Sequence, residues 1–201
     1  MYYTINLEKN QCVLFVKRFF VEKFLQIVAI FRKGGNMQSI KRDIYLQRLK
    51  DREQNSLVKI VTGIRRCVKS YLLNTLFYEY LKEKGVKDNH IIKISLDDDE
   101  NSNLLLPKAL SRYIKNLIVD DELYYVLIDE IQLADNFVGV LNGLLKLPNV
   151  DIYVTGSNPK FLSTDIVTEF RGRGNEVRIL PLSFSEFMSV YNGSSIQGWK
   201  E

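Results

Sequence analysis

Gly63, Lys69 and Ser70 stand in the register of a phosphate-binding loop, GxxxxGK[ST], with Val68 in the place of the second glycine. In such a loop a strand delivers the chain into a tight turn whose backbone N–H groups converge on phosphate oxygens. A helix begins at the same point, so the positive end of its dipole adds to the attraction for an anion. Residues Gly63, Ile64, Arg65, Arg66, Cys67, Val68, Lys69, Ser70 and Tyr71 are therefore the candidate nucleotide-binding segment. Lys69 suits the β and γ phosphates, and the Ser70 hydroxyl suits Mg²⁺. A β-branched residue at position 68 is stiff at χ1, resists positive φ and puts a Cβ where backbone should lie against phosphate. Impaired nucleotide binding is expected from it.

A second set of residues lies downstream. Tyr124-Tyr-Val-Leu-Ile-Asp-Glu130 is an apolar run ending in adjacent carboxylates, the Walker B pattern. Asp129 is placed to hold hydrated Mg²⁺ and Glu130 to polarise an attacking water. Another apolar run, 150–155, leads into Gly156-Ser157-Asn158, where Ser157 could sense a γ-phosphate; a turn followed by a helix cap fits equally well. Phe170-Arg-Gly-Arg-Gly174 sets two arginines on a Gly-rich bend, suited to stabilising phosphoryl-transfer charge in cis or from a neighbouring subunit, or simply to solvation.

The elements that must position these residues follow from periodicity. Strands are expected at 58–63, 90–96, 123–129, 150–155 and 176–180, and helices at 39–52, 69–84, 104–118 and 134–147, with Gly85 stopping the second helix. Alternation of this kind builds a parallel sheet covered by helices, with ligands at the carboxyl ends of the strands. A capping box at Ser183-Phe-Ser-Glu186 opens a last helix.

Together the segments Val61-Thr-Gly-Ile-Arg-Arg-Cys-Val-Lys-Ser70, Leu127-Ile-Asp-Glu-Ile-Gln132, Tyr153-Val-Thr-Gly-Ser-Asn158, Gly172-Arg173 and Leu180-Pro-Leu-Ser-Phe-Ser-Glu-Phe187 resemble the ATPase domain of AAA+ superfamily proteins from archaea and anaerobic bacteria. The resemblance spans about residues 37–193 and implies a three-layer α/β P-loop NTPase fold of the AAA+/ASCE type, with ATP and Mg²⁺ as ligands. It assigns Lys69, Ser70, Asp129 and Glu130 to the nucleotide site, Ser157 to the sensor and Arg173 to the catalytic arginine. It also implies possible homo-oligomers, and a C-terminal domain of poorly known role that would follow this segment. The tail 194–201 is expected to be frayed. The reading set against the ATPase is a nucleotide-dead binding or scaffold module, or the remnant of a truncated gene. A small-molecule P-loop kinase fits less well, because an adjacent Asp-Glu pair suits activation of water.

The N-terminal stretch is unlike the rest. Residues 12–31 are apolar on nearly every side but carry Lys17, Arg18, Glu22 and Lys23, too many charges for a membrane span. Lys33-Gly-Gly-Asn-Met37 can be encoded by a ribosome-binding sequence ahead of a start codon, so Met37 is expected to be the native start. Residues 1–36 hold six Lys/Arg against two Glu, which accounts for the whole +4 of the chain. The remaining body is neutral, and the basic balance is no argument for nucleic acid. Lys41, Arg42, Arg48, Lys50 and Arg52 read as a solvated helix face that leaves nucleic acid open as a partner. Two cysteines and no secretory signal fit a reducing, cytoplasmic setting. His90 and the acidic run 97–100 lack the company a metal site needs.

Overall fold

The computed structural model describes residues 42–63, 68–156, 170, 172–181, 183 and 186. The chain divides into two units, Met1–Ile40 with Ser185–Glu201, and Lys41–Phe184; every element below belongs to the second. The apolar stretch 12–31, the start at Met37, Ser157 and the two middle residues of the capping box lie outside the described residues.

Five strands, β1 (Val58–Thr62), β2 (Ile91–Ser95), β3 (Tyr124–Asp129), β4 (Val150–Thr155) and β5 (Gly174–Arg178), form one parallel sheet in the order β2-β3-β4-β1-β5. All four pairings are parallel, in register from Lys59 opposite Tyr153, Val58 opposite Gly174, Ile91 opposite Tyr125 and Tyr124 opposite Val150. The central strands are nearly continuous apolar runs because both faces are covered. Helices α3 (Pro107–Leu117) and α4 (Phe137–Leu144) bury Leu110, Ile114, Val140, Leu141 and Leu144 with Ile60, Val126, Ile128 and Val154 on one face. On the other face, α1 (Asp43–Lys50) and α2 (Lys69–Glu83) bury Leu49, Leu72, Leu73, Phe77 and Leu81 with Val61, Tyr125, Leu127 and Tyr153. Helix α2 runs as an α-turn Lys69–Tyr71, a π-segment Leu72–Phe77 and an α-segment Tyr78–Glu83, and ends at Gly85 with φ +90°.

Several boundaries differ from expectation for identifiable reasons. The helix expected from 104 begins at Pro107, because the residue before a proline is driven out of the helical region and Leu106 is extended at ψ 129°. Residues Asp99–Leu105 form a 3₁₀ segment instead. The helix expected over 134–147 shortens to Phe137–Leu144, since the chain leaving β3 first makes a 3₁₀ turn at Ile131–Leu133 and then a left-handed residue, Asn136. His90 does not begin β2 but closes a 3₁₀ turn, Asp88–His90, with its buried ring against Tyr124 and its Nε2 at 3.1 Å from Asp120. The basic face expected over 39–52 is not simply solvated. Arg42 is buried and donates to the Leu180 carbonyl, Arg52 donates to Asn175, and Lys50 sits 4.1 Å from the centre of the Tyr80 ring.

Candidate active site at the carboxyl edge of the sheet

Parallel strands end on one edge, and there β1, β3 and β4 deliver Gly63, Asp129 and Thr155. Helix α2 starts from the same edge with Lys69 and Ser70 in its first turn. Lys69 is 5% exposed, so the turn presents its ammonium from within the protein rather than from solvent. Ser70 lies close enough to the Asp129 carboxylate, which is itself buried, to favour its charged form. Burial raises the Asp129 carboxyl above the ordinary carboxylate range, and the charges of Glu130 and Asp97 push the same way; Ser70 and the hydrogen bond from Thr155 oppose them. A desolvated carboxylate beside a hydroxyl is an oxygen pair suited to a hard divalent cation, which would restore the solvation that burial removes. Mg²⁺ keeps several waters and needs only one or two protein ligands when a polyphosphate supplies others. The Asn74 side chain, in the π-segment of α2, approaches Asp129 with Nδ2 at 3.5 Å, while its buried Oδ1 has no hydrogen-bond partner. A water of a hydrated ion would satisfy that oxygen. The donor set therefore fits Mg²⁺.

Thr155, which sequence reasoning passed over, organises this edge. It is fully buried, donates its hydroxyl hydrogen to Asp129 Oδ1, and accepts the Glu130 N–H at 3.0 Å. Its signal was its place as the last β-branched residue of a strand neighbouring the carboxylate strand. Glu130 takes the left-handed conformation, φ +52°, immediately after β3, and its carboxylate accepts a hydrogen bond from Gln132 Nε2. Gln132 too was without an assigned role from sequence.

Val68 lies at φ +66°, ψ 31°. Position 68 thus adopts the left-handed conformation that favours glycine, with a valine in it. Such a conformation costs an L-residue about 1–2 kcal/mol, and β-branching makes valine one of the least tolerant residues there. Tyr71, half-buried in the first turn of α2, has its phenol pushed up by burial and then by the charge of Glu79. Ile64, Arg65, Arg66 and Cys67 lie outside the described residues, as does Ser157.

The structure does not bring Arg173 to this edge. Its carbonyl accepts from the N–H of Val58 at 2.9 Å, so it sits where β1 and β5 begin. The length of β1, about 16 Å at 3.3 Å per residue, separates that end from Lys69. Both strands run away from Arg173 toward the edge that carries Lys69.

Among the described residues no helix is long and apolar enough to cross a membrane. Comparison with known proteins gives two relatives, both called uncharacterized. One, from Haemophilus influenzae, is 33% identical over 157 residues, covering 78% of this chain and 39% of the relative. The other, from Methanocaldococcus jannaschii, is 33% identical over 181 residues, covering 88% of this chain and 36% of the relative. The chain thus spans about two fifths of the length of the curated relatives it matches. Among solved structures, Cdc6p from Pyrobaculum aerophilum superposes with a TM-score of 0.55 at 12% identity, over 80% of this chain and 51% of that one, a likeness of fold. The family model described as AAA domain matches residues 55–188, which takes in Val68 to Ser70, Asp129, Glu130 and Thr155, and the chain belongs to that family of AAA+ P-loop ATPase domains.

Proposed function

We propose that this chain is a Mg²⁺-dependent ATP-binding domain built for hydrolysis of the γ-phosphate, in which Val68 weakens the grip on nucleotide. The observation that carries the reading is the buried Asp129 carboxylate, held by the Thr155 hydroxyl at the strand edge from which α2 starts with buried Lys69 and Ser70. Gly63 to Tyr71 would wrap the phosphates, with Lys69 donating to the β and γ oxygens. Ser70 and Asp129 would hold Mg²⁺, which when bound neutralises phosphate charge. Glu130 would take a proton from the attacking water as that water displaces ADP from the γ-phosphorus. Thr155 holds the Asp129 and Glu130 geometry, Gln132 restrains the Glu130 carboxylate, and Ser157 is assigned to sensing the γ-phosphate. Arg173, being at the far edge, would act only on the site of a neighbouring subunit, which ties its use to homo-oligomer formation.

The left-handed valine supports a second reading, a nucleotide-dead binding or scaffold module of the same fold. Two measurements separate them. Calorimetry with Mg·ATP on the protein and on Val68→Gly should show at least tenfold tighter binding by the variant; equal, tight binding by both would overturn the impaired-cradle part. Phosphate release compared with Glu130→Gln decides turnover: a rate abolished by the substitution supports the ATPase, and no rate in either the protein or Val68→Gly supports the scaffold.

A further inference from the structure

Two side-chain amides stand beside the two carboxylates of the candidate site, and both are hydrogen-bonded on one side only. Asn74 turns Nδ2 toward Asp129 at 3.5 Å, and Gln132 donates from Nε2 to the Glu130 carboxylate. An ionised carboxylate only accepts, so each amide must offer it the nitrogen and turn the oxygen away. Those oxygens, Asn74 Oδ1 and Gln132 Oε1, are buried and have no hydrogen-bond partner among the described residues. A buried acceptor left so costs about 1–3 kcal/mol, and in a folded protein it marks a place for an ordered water, an ion or a ligand. A water on the hydrated ion serves Asn74. Gln132 adjoins the base instead, and its oxygen needs a different donor. The turn that carries it is held firmly. Ile131–Leu133 is closed by the Leu133 N–H on the Glu130 carbonyl and the Ala134 N–H on the Ile131 carbonyl, each at 3.0 Å. Ile131 and Ala134 are buried on either side of Gln132, and the Glu130 N–H is tied to Thr155. Gln132 and Glu130 are thus preorganised as a pair, which lowers the entropic cost of taking up a third group.

We infer that Gln132 is a catalytic residue whose Oε1 accepts one hydrogen of the attacking water while Glu130 accepts the other. The inference rests on the ATPase reading above. A water has two hydrogens, and the pair offers an acceptor for each; with one acceptor the water turns freely about a single hydrogen bond, and with two its lone pair has a fixed direction. Phosphoryl transfer is catalysed largely by positioning and charge stabilisation, and glutamine is a side chain that P-loop GTPases use to orient the attacking water. As the water oxygen bonds to the γ-phosphorus, the bond from that phosphorus to the bridging oxygen breaks and its electron pair leaves with ADP. One proton passes to Glu130. The other stays on the new P–OH group, facing Gln132 Oε1, and leaves with the phosphate. The rival role is a brake, in which the Gln132 hydrogen bond holds Glu130 back. A brake needs only the amide nitrogen, and the unpartnered Oε1 favours the water seat.

The test uses Gln132→Met, which keeps length and flexibility without the amide, and Gln132→Lys, which keeps a donor for Glu130 and has no acceptor. Each is compared with Glu130→Gln, in the protein and in Val68→Gly. In both Gln132 variants kcat for phosphate release should fall at least about tenfold, with KM changed less than about threefold, the mark of an interaction made in the transition state. Calorimetry reads the same seat without turnover. Affinity for Mg·ADP with fluoroaluminate, a mimic of the transferring phosphoryl group, should weaken at least about tenfold, and affinity for Mg·ADP alone less than about twofold. Far-UV circular dichroism should be unchanged. Full activity in Gln132→Lys would reduce Gln132 to a restraint on Glu130 and overturn the inference. A rate that rises on loss of Gln132 would make it a brake, and unaltered fluoroaluminate affinity would remove the seat; either overturns it. Where Glu130→Gln lowers the rate and Gln132→Met does not, this inference fails alone. Where even Val68→Gly releases no phosphate, the ATPase reading fails and the inference with it.

Discussion

Thr155 joins Asp129 to Glu130 through one hydroxyl, which donates to the Asp129 carboxylate and accepts the Glu130 backbone N–H at 3.0 Å. The two carboxylates have different tasks in the proposed reaction, and one strand-end side chain on the neighbouring strand fixes both. Thr155→Val keeps the volume and branching and removes the hydroxyl. It leaves a partly buried N–H without its acceptor, a cost of about 1–3 kcal/mol. Chemical denaturation should show a loss in that range, and Mg²⁺ affinity in the presence of nucleotide should fall about 10–100-fold, as for other residues that orient a metal ligand.

Val68→Gly sets two effects against each other. Relief of the left-handed valine is worth about 1–2 kcal/mol, while glycine returns about 0.5–1 kcal/mol of freedom to the unfolded chain. A small net gain in stability is expected, under about 1.5 kcal/mol by difference. The rise in ATP affinity should be much larger than that gain implies, because the Cβ is also removed from the phosphate cradle. A thermal melt with and without Mg·ATP distinguishes the two contributions.

Glu130→Gln retains the shape and the Gln132 neighbour but cannot take a proton. Removal of a general base lowers rate by about 10²–10⁴-fold, so single-turnover phosphate release should fall by at least about two orders of magnitude. Mg·ATP affinity, which the proposed function assigns to Lys69, Ser70 and Asp129, should change by less than threefold in calorimetry.

Glu53 gives the fold an acid-sensitive anchor away from the site. Its carboxylate accepts from Tyr80 at 2.6 Å, from Tyr125 at 3.0 Å, and from Lys84. Burial opposes ionisation, but these hydrogen bonds and the Lys84 charge outweigh it and bring the Glu53 pKa below its ordinary 4.5. The same cluster raises the Lys84 ammonium, and burial with the Glu53 charge pushes the Tyr125 phenol up to about 12. A carboxyl with a lowered folded pKa contributes stability that is present above 4.5 and lost as pH falls through the folded value. Glu53→Gln should therefore lower the melting temperature at pH 7 and flatten its fall below about pH 4.5; parallel pH profiles for the two proteins would contradict this.

The chain order of strand and helix, the parallel sheet, and the Lys69-Ser70 and Asp129-Glu130 pairs were legible in the sequence. Apolar β-branched runs such as 58–62 and 124–128 are long enough to read as strands buried on both faces, and their exits carry charged or hydroxyl residues that a core would not hold. Those are local properties. Proline at 107 was equally local, yet its effect on the preceding turn had to be weighed against an apolar periodicity that ran through it.

Other relationships depend on which strands lie side by side. Thr155 and Asp129 are 26 residues apart and meet only because β4 pairs with β3. Arg173 follows the Gly-rich bend in sequence, but parallel pairing of β5 with β1 sends it to the edge opposite Lys69. Arg42, Lys50 and Arg52, in and around α1, looked like the chain's charged face, yet packing engaged them with Leu180, Tyr80 and Asn175. Helix phase turned Lys108, Arg112 and Lys115 of α3 toward a groove beside α4. Residue order alone thus determined the fold class and marked the main candidate pairs, because strand and helix periods and the loop motif are written in adjacent residues. Strand order and helix phase decided the rest, since a contact between distant residues exists only once the sheet has brought them together.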